Sequence, residues 1–200
     1  MNILLGVTGS VATTLTPQLY EALRAAGHEV QVIATDSAMY FFETEMFPGP
    51  ITRSEEEQHR IVHVWRDHEE RPGKRYVRDQ PIPHIELRRW ADVLLIAPLS
   101  ANTLAKLAHG QCDNLLTSVA RAWDRMKPII LAPAMNTMMW EHPATAEHLA
   151  TLQRWYPRCT IIEPVTKRLA CGDEGIGAMA PINTIAEAVC ALDDPYDVVE

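Results

Sequence analysis

The sequence predicts a three-layer α/β fold in which a parallel sheet of about six strands is flanked by helices. Short, continuously apolar runs alternate with segments whose apolar residues recur at helical spacing, which is typical of βαβ units. Most of the apolar runs are followed by glycine, proline or small polar residues. The chain has 200 residues, of which 47% are hydrophobic, so residues 1–200 are predicted to form a single domain with a sizeable core.

The N-terminal part of the chain carries the clearest of these units. Met1–Val7 is apolar and is followed by Thr8-Gly9-Ser10, which predicts a buried strand that enters a tight turn. Residues 11–26 have helical spacing and are followed by Gly27, a residue favoured after a helix end. Residues 28–35 form a second predicted strand. A strand, a helix and a strand in this order predict parallel pairing with a right-handed crossover.

Residues 41–83 differ in character from the rest of the chain. They are rich in proline and in charged residues, which predicts a surface excursion with one helix around Ser54–Trp65 and otherwise loop. Three histidines recur there at helical spacing: His59, His63 and His68. These histidines fit a solvated helix face more simply than they fit a metal site. No metal is therefore predicted.

The remaining elements continue the alternation of strands and helices and make the predicted fold Rossmann-like. Three further strands are predicted over 93–97, 129–132 and 160–163. Helices are predicted from about Leu104, and over Asp113–Met126, Thr145–Trp155 and Thr184–Leu192. Residues 167–181 are rich in glycine and are predicted to form a loop that serves as a mobile flap.

Charge and composition exclude several function classes. Eighteen Lys and Arg residues against 26 Asp and Glu residues give a formal net charge of −8, which argues against a general nucleic-acid binder. No apolar run approaches the roughly 20 residues of a membrane helix, so no membrane association is expected. The four cysteines are scattered, without a CxxC pair. This argues against a zinc ribbon and suits a reducing, cytoplasmic compartment.

Residues that follow the strands of such a sheet are the candidates for ligand binding. Gly9-Ser10 before a helix could present backbone N–H groups and a hydroxyl to a phosphate, or Ser10 could simply cap the helix. The spacing matches neither GxGxxG nor GxxxxGK[ST]. A mononucleotide with one terminal phosphate is therefore favoured over a dinucleotide. Asp36 and Ser37 are interpreted as a turn in which Ser37 caps the next helix.

Three other segments carry candidate chemistry. Ser100-Ala101-Asn102-Thr103 offers three polar side chains at a helix start, more than a cap requires, and could bind a polar, uncharged ring system. His84 follows Pro-Ile-Pro, and by position alone it could equally be a surface or structural histidine. Cys171 lies in the glycine-rich flap, where a thiol could deliver a proton to a covered substrate or could be a chance cysteine in a turn.

Longer motifs then indicate a family. Pro98-Leu-Ser-Ala-Asn-Thr103, Pro133-Ala-Met-Asn-Thr-Met-Met-Trp140 and Cys171-Gly-Asp-Glu-Gly-Ile-Gly-Ala-Met179 resemble the flavin-containing cysteine decarboxylases. The resemblance extends from the Gly-Val-Thr-Gly-Ser opening to about Pro181. The asparagine-bearing motif and the cysteine flap are specific, whereas the Gly-Ser turn is not. The excursion at 41–83 looks longer than the corresponding stretch of the family.

The resemblance implies FMN as a non-covalent cofactor and gives each candidate residue a role. The phosphate end of FMN would be held by Gly9, Ser10, Val11 and Ser37, and the flavin would be lined by Ser100, Ala101, Asn102, Thr103 and Ala134. His84 would be the active-site histidine, which handles the thiol proton, and Asn136 would bind the substrate carboxylate. Cys171 would donate a proton from the flap, with Arg168, Ala170 and Met179 near the substrate.

The implied reaction is the FMN-dependent decarboxylation of 4′-phosphopantothenoyl-L-cysteine to 4′-phosphopantetheine and CO2 in coenzyme A biosynthesis. The thiol would be oxidised transiently, CO2 would leave, and the resulting enethiol would be reduced. Cys171 favours this complete cycle, because relatives that modify peptide cysteines stop at the enethiol and lack this cysteine. A peptidyl-cysteine decarboxylase and a non-catalytic, regulatory FMN-binding relative remain the alternatives. The resemblance also implies a homotrimer or a larger homo-oligomer, in which His84 could serve the flavin of a neighbouring subunit.

Overall fold

A computed structural model describes residues 1–42, 63–71, 75, 77–168 and 174–193. Its centre is a sheet of six parallel strands in the order β3-β2-β1-β4-β5-β6, which confirms the predicted α/β fold. The strands are β1 (Asn2–Val7), β2 (Glu29–Ala34), β3 (Val64–Arg66), β4 (Val93–Leu99), β5 (Ile129–Pro133) and β6 (Cys159–Ile161). An antiparallel hairpin of β7 (Val165–Arg168) and β8 (Glu174–Ala178) follows.

Helices cover both faces of the sheet. One face carries α1 (Thr16–Ala25) and α7 (Ile182–Cys190), and the other carries α2 (Pro83–Trp90), α3 (Ala101–Ala108), α4 (Leu115–Arg121) and α6 (Pro143–Trp155). A short helix, α5 (Thr137–Trp140), contacts β8. Short 3-10 helices occupy Val11–Leu15, Ala38–Tyr40, Asp67–Glu70 and Ala191–Asp193.

The continuous apolar runs become strands because they are buried from both sides. In β1, Leu5 belongs to the core beneath α1 and α7, whereas Leu4 belongs to the core beneath the other four helices. All seven residues of β4 are buried. A strand with two buried faces needs no alternation of apolar and polar residues, so the sequence runs predicted β1, β4 and β5 well.

The prediction for 41–83 is wrong at the C-terminal end of its helix, whereas the described residues 77–82 are loop as predicted. Most of the helix predicted around Ser54–Trp65 lies outside the described residues, but its last two positions belong to β3. There Val64 pairs with Val32 and Trp65 with Ile33 along the edge of the sheet. A three-residue edge strand has no sequence period of its own, so pairing with β2 overrides the local helical pattern.

Two further elements differ from the prediction. The loop predicted over 167–181 contains the last two residues of β7 and all of β8. Residues 169–173, between these strands, lie outside the described part of the chain. The helix α2 was not predicted, because Pro81 and Pro83 indicated a loop. Pro83 in fact occupies the first turn of α2, where the missing N–H of proline costs nothing. Of the helices in the described ranges, none combines the length and apolarity required to cross a bilayer.

Candidate functional site

The centre of the site is the point where the strand order reverses, between β1 and β4, because the chain leaves these two strands in opposite directions. The buried Thr8 joins their carboxyl ends. Its Oγ1 donates a hydrogen bond to the Pro98 carbonyl (2.8 Å) and accepts one from the Ser100 N–H (2.7 Å). The sequence placed Thr8 in a turn but did not identify this role. Thr8 fixes the turn after β1 against the start of α3.

Gly9 and Ser37 form a tight corner beside this junction. A Cβ atom added to Gly9 would lie 2.8 Å from both Cβ and Oγ of Ser37. This close approach is possible because Gly9 has no side chain, so no side chain covers its backbone. Ser37 occupies the N-cap position of the 3-10 helix that follows it, but its side chain makes no capping hydrogen bond, contrary to the prediction. Its hydroxyl instead pairs with Oγ1 of Thr35 at 3.0 Å.

The turn after Gly9 leads into a 3-10 helix and not directly into an α-helix. Ser10 is its N-cap, and its Oγ accepts a hydrogen bond from the Ala12 N–H at 3.3 Å, which confirms the capping interpretation. Val11 is half exposed on the same turn.

Asp36 has a structural role at the end of β2. Its N–H donates to Oδ2 of Asp67 at 2.9 Å, and its carboxylate lies 3.7 Å from Nη2 of Arg66. Burial raises the pKa of Asp67 above its ordinary value, against the hydrogen bond from Asp36 that lowers it. The interpretation of Asp36 as part of a turn therefore agrees with its contacts.

Within the segment Ser100–Thr103, two of the three polar side chains are buried, one of them as a helix cap, and one is exposed. Ser100 is the N-cap of α3, because its Oγ accepts from the Thr103 N–H at 3.3 Å, and both side chains are buried. Asn102 is exposed. One polar side chain of the three is therefore free to face a ligand, and the flavin-lining role of the whole segment stays a prediction.

Asn136 follows β5 and caps α5. Its Oδ1 accepts a hydrogen bond from the Met139 N–H at 2.9 Å, which orients the side-chain amide. With Oδ1 engaged, the Nδ2 group points its two N–H donors elsewhere, and no acceptor for them occurs among the described residues. The side chain is exposed and lines a cleft. A pair of oriented N–H donors is suited to an anionic oxygen.

The hairpin lies against the loop that carries Asn136. The Met135 N–H donates to the Gly177 carbonyl at 2.9 Å. Gly177 has a φ of +138°, and a Cβ atom there would overlap the carbonyl oxygen of Met135. Gly175 packs equally closely on the side chain of Thr137. Two glycines thus let the backbone of β8 reach the asparagine loop without an intervening side chain.

An open cleft of about 400 Å³ lies between the turn after β1, the asparagine loop and the hairpin. It brings together six of the predicted site residues: Ser10, Val11, Ala134, Asn136, Arg168 and Met179. Lys167, which was not predicted, also lines it. Lys167 and Arg168 give the cleft a positive wall, and none of its described lining residues is acidic. The sequence signal for Lys167 was its place beside Arg168 at the start of the flap.

His84 is not part of this cleft. It lies in the first turn of α2, and its Nδ1 is 2.6 Å from Oε1 of Glu70. Glu70 was not predicted as a site residue, because it lies in the charged stretch assigned to a solvated surface. The histidine and Asn136 are thus not brought together within one copy of the chain.

The described cysteines are all free, and none lies in the cleft. Cys112 and Cys190 are exposed, and burial raises the pKa of Cys159 to about 11, so that thiol is inert at neutral pH. Cys171 and Ala170, the predicted flap residues, lie outside the described residues. The described ranges contain no group of three or more metal-ligating side chains.

Comparison with known proteins gives consistent matches. The family model described as Flavoprotein matches residues 1–193. The phosphopantothenoylcysteine decarboxylase of Mus musculus is 44% identical over 192 residues, which cover 96% of this chain and 86% of the mouse protein.

Two solved structures are also similar to this chain. One is a cysteine-to-serine mutant of PPC decarboxylase complexed with pantothenoylaminoethenethiol, with a TM-score of 0.82, 42% identity and coverage of 96% of this chain and 97% of the other. The second is the FMN binding protein AtHal3, with a TM-score of 0.79, 43% identity and 96% coverage of both chains.

Proposed function

The chain belongs to the flavoprotein family, and from this premise we propose that it catalyses the FMN-dependent decarboxylation of 4′-phosphopantothenoyl-L-cysteine to 4′-phosphopantetheine and CO2. The observation that carries the proposal is the cleft, which places the donors of Asn136 and a positive wall within reach of the turn after β1. A substrate with a carboxylate and a phosphate needs donors and positive charge of this kind.

The residues at the end of β1 fit FMN. The uncovered backbone of Gly9 faces Ser37, and Ser10 presents a hydroxyl at the start of a helical segment. Small groups of this kind bind a phosphate through backbone N–H groups and hydroxyls. Gly9, Ser10, Val11 and Ser37 would hold the phosphate end, whereas Ala134 and residues 100–103 would line the ring system. FMN supplies reversible two-electron chemistry at the carbon that bears the thiol.

The side chains of this chain orient the substrate and move its protons. Asn136 would hold the carboxylate through Nδ2, with Arg168 and Met179 in contact with the rest of the cysteine-derived end. His84 would take the thiol proton on an imidazole nitrogen, and Cys171 would return a proton to carbon from the flap. Lys167 adds positive charge for the anionic groups of the substrate.

A mass spectrum of the product tests this function directly. Purified protein loaded with FMN is incubated with 4′-phosphopantothenoyl-cysteine, and the expected product has lost CO2 alone. Loss of CO2 together with two hydrogens would contradict the complete cycle and would place the chain with enethiol-forming enzymes. Unchanged substrate in the presence of bound FMN would leave a regulatory FMN-binding protein as the better interpretation. Neither alternative is favoured by the relatives that are 42–44% identical along nearly the whole chain.

Replacing Gly9 by alanine, Gly9→Ala, should lower FMN affinity by about tenfold to a hundredfold, because the new Cβ overlaps Ser37 and forces the corner apart. The flavin absorbance per polypeptide after dialysis measures the effect. Gly27→Ala is the matched control, since nothing lies within 4 Å of its added Cβ, and it should retain full flavin. Stoichiometric FMN in Gly9→Ala would argue against the phosphate site.

The position of His84 supports a homo-oligomer, trimeric or larger, in which the histidine of one subunit serves the cleft of the next. Within one copy, His84 is not among the residues that line the cleft. The exposed apolar side chains of Met138 and Met139, which follow Asn136 in the chain, would be covered in such an assembly.

Subunit mixing tests this arrangement. His84→Asn and Asn136→Asp are each expected to lose most of the turnover when tested alone. Mixed oligomers of the two variants should regain part of the turnover, because one boundary then unites an intact histidine with an intact cleft. Mixed samples that stay inactive, although mass spectrometry shows that subunits have exchanged, would contradict a shared site.

A further inference from the structure

The contact between Glu70 and His84 is short and largely shielded from solvent. Oε1 of Glu70 lies 2.6 Å from Nδ1 of His84, and the two side chains are 18% and 25% exposed. At this distance the carboxylate and the imidazole share a charge-assisted hydrogen bond. The pair joins two elements, because Glu70 is the last residue of a 3-10 helix and His84 lies in the first turn of α2.

The 3-10 helix that carries Glu70 is anchored at its start. The Arg66 N–H donates to Oε2 of Glu69 at 2.7 Å, and Oδ2 of Asp67 accepts from the Asp36 N–H at 2.9 Å. The first bond joins the helix to β3, and the second joins it to the residues that follow β2. His84 lies on α2, which packs on this 3-10 helix. The orientation of the His84 ring is therefore set by α2 and by the 3-10 helix together.

The chemistry of the pair determines which ring nitrogen is free. An ionised carboxylate accepts hydrogen bonds and donates none, so Nδ1 of His84 carries the proton in this contact. The neutral imidazole then has its lone pair on Nε2. Glu70 thus selects the tautomer in which Nε2 is the base, and it stabilises the imidazolium that forms when Nε2 takes a proton.

The second oxygen of Glu70 supports a role beyond packing. Oε2 is buried and has no hydrogen-bond partner among the described residues. Burying a carboxylate oxygen without a partner costs free energy, so the side chain is poorly suited to a purely stabilising role. An orienting role for the imidazole gives a reason for this carboxylate to occupy the position.

We propose that Glu70 is a positioning residue that holds His84 with Nδ1 protonated and Nε2 free to accept the substrate thiol proton. The proposal rests on the proposed function, in which His84 is the base. It extends that function by a residue outside every motif that carried the family resemblance. Glu70 acts through His84 and does not touch the substrate.

The test is a double-mutant cycle with Glu70→Gln and His84→Asn. Glutamine keeps the shape of the side chain but offers a donor as well as an acceptor, so the tautomer is no longer selected. We expect kcat of Glu70→Gln to fall about tenfold to a hundredfold, with KM and flavin content within about twofold of wild type. In the His84→Asn background the same substitution should have no further effect, because its influence passes through the imidazole.

A second measurement does not depend on turnover. The ¹⁵N chemical shifts of His84 in resting FMN-loaded protein should show protonated Nδ1 and unprotonated Nε2, and Glu70→Gln should shift them toward a mixture of tautomers. Glu86→Gln is the matched control. Glu86 lies on α2, the helix that carries His84, and pairs at 3.1 Å with the exposed Arg89. It should leave kcat and the His84 shifts unchanged.

Three results would overturn the proposal: unchanged kcat in Glu70→Gln, an equal loss in the His84→Asn background, or His84 shifts that do not respond to the substitution. A failure of the proposed function would give a different result from a failure of the role of Glu70. Wild-type protein would then not convert 4′-phosphopantothenoyl-cysteine at all, while the ¹⁵N measurement would still report whether Glu70 selects the tautomer.

Discussion

Replacing Asn136 by aspartate, Asn136→Asp, is expected to leave FMN bound and to lower the decarboxylation rate at least about a hundredfold. Oδ1 of Asn136 caps α5 through the Met139 N–H, and an aspartate oxygen can take over that bond, so the local fold should persist. The second aspartate oxygen then replaces the Nδ2 donors. A carboxylate at that place repels the substrate carboxylate instead of binding it.

The measurement is single-turnover CO2 release at saturating FMN, together with the flavin absorbance per polypeptide. Asn114→Asp is the matched control. Asn114 caps α4 in the same way, with Oδ1 accepting from the Thr117 N–H at 2.9 Å, and it does not line the cleft. The control should release CO2 at the wild-type rate. Wild-type turnover in Asn136→Asp would remove the asparagine from substrate binding.

The second large effect is expected for Gly177→Ala, which should lower turnover about a hundredfold with FMN still bound. Its Cβ would overlap the Met135 carbonyl oxygen, and its φ of +138° is unfavourable for alanine. The strand β8 must therefore move away from the asparagine loop by on the order of 1 Å. A displacement of that size is enough to misplace the groups that enclose a substrate.

Gly27→Ala separates backbone strain from the loss of docking. Gly27 also has a positive φ, +88°, but nothing lies within 4 Å of its added Cβ. This variant should lose about 1 kcal/mol of stability in a denaturant melt and keep its turnover. If the two variants lose turnover equally, the contact between the hairpin and Met135 does not control the reaction.

The sequence predicted the parts of the fold whose residues are buried on both sides. The strands β1, β4 and β5 are continuous apolar runs, and their burial follows from composition alone. The position of Gly9-Ser10 and Asn136 at strand ends was predicted for the same reason, because parallel strands direct their carboxyl ends to one edge.

The parts that sequence reasoning missed depend on contacts between distant segments. The strand β3 is defined by its pairing with Val32–Ala34, and the strands β7 and β8 by their pairing with each other. Glycines at 175 and 177 indicated a loop, whereas in the structure they permit close packing on Thr137 and Met135. Glu70 looked like a solvated charge because nothing near it in the sequence shows that α2 begins beside it.

The central position of β1 in the sheet affects how the chain folds during its synthesis. β1 pairs with β2 on one side and with β4, which begins at Val93 and is synthesised much later, on the other. Until Val93 and the residues after it have been synthesised, the nascent chain exposes an apolar edge with unpaired backbone groups. Such edges promote association with other chains. Chaperone contact with this chain should therefore concentrate in the interval between synthesis of β2 and synthesis of β4.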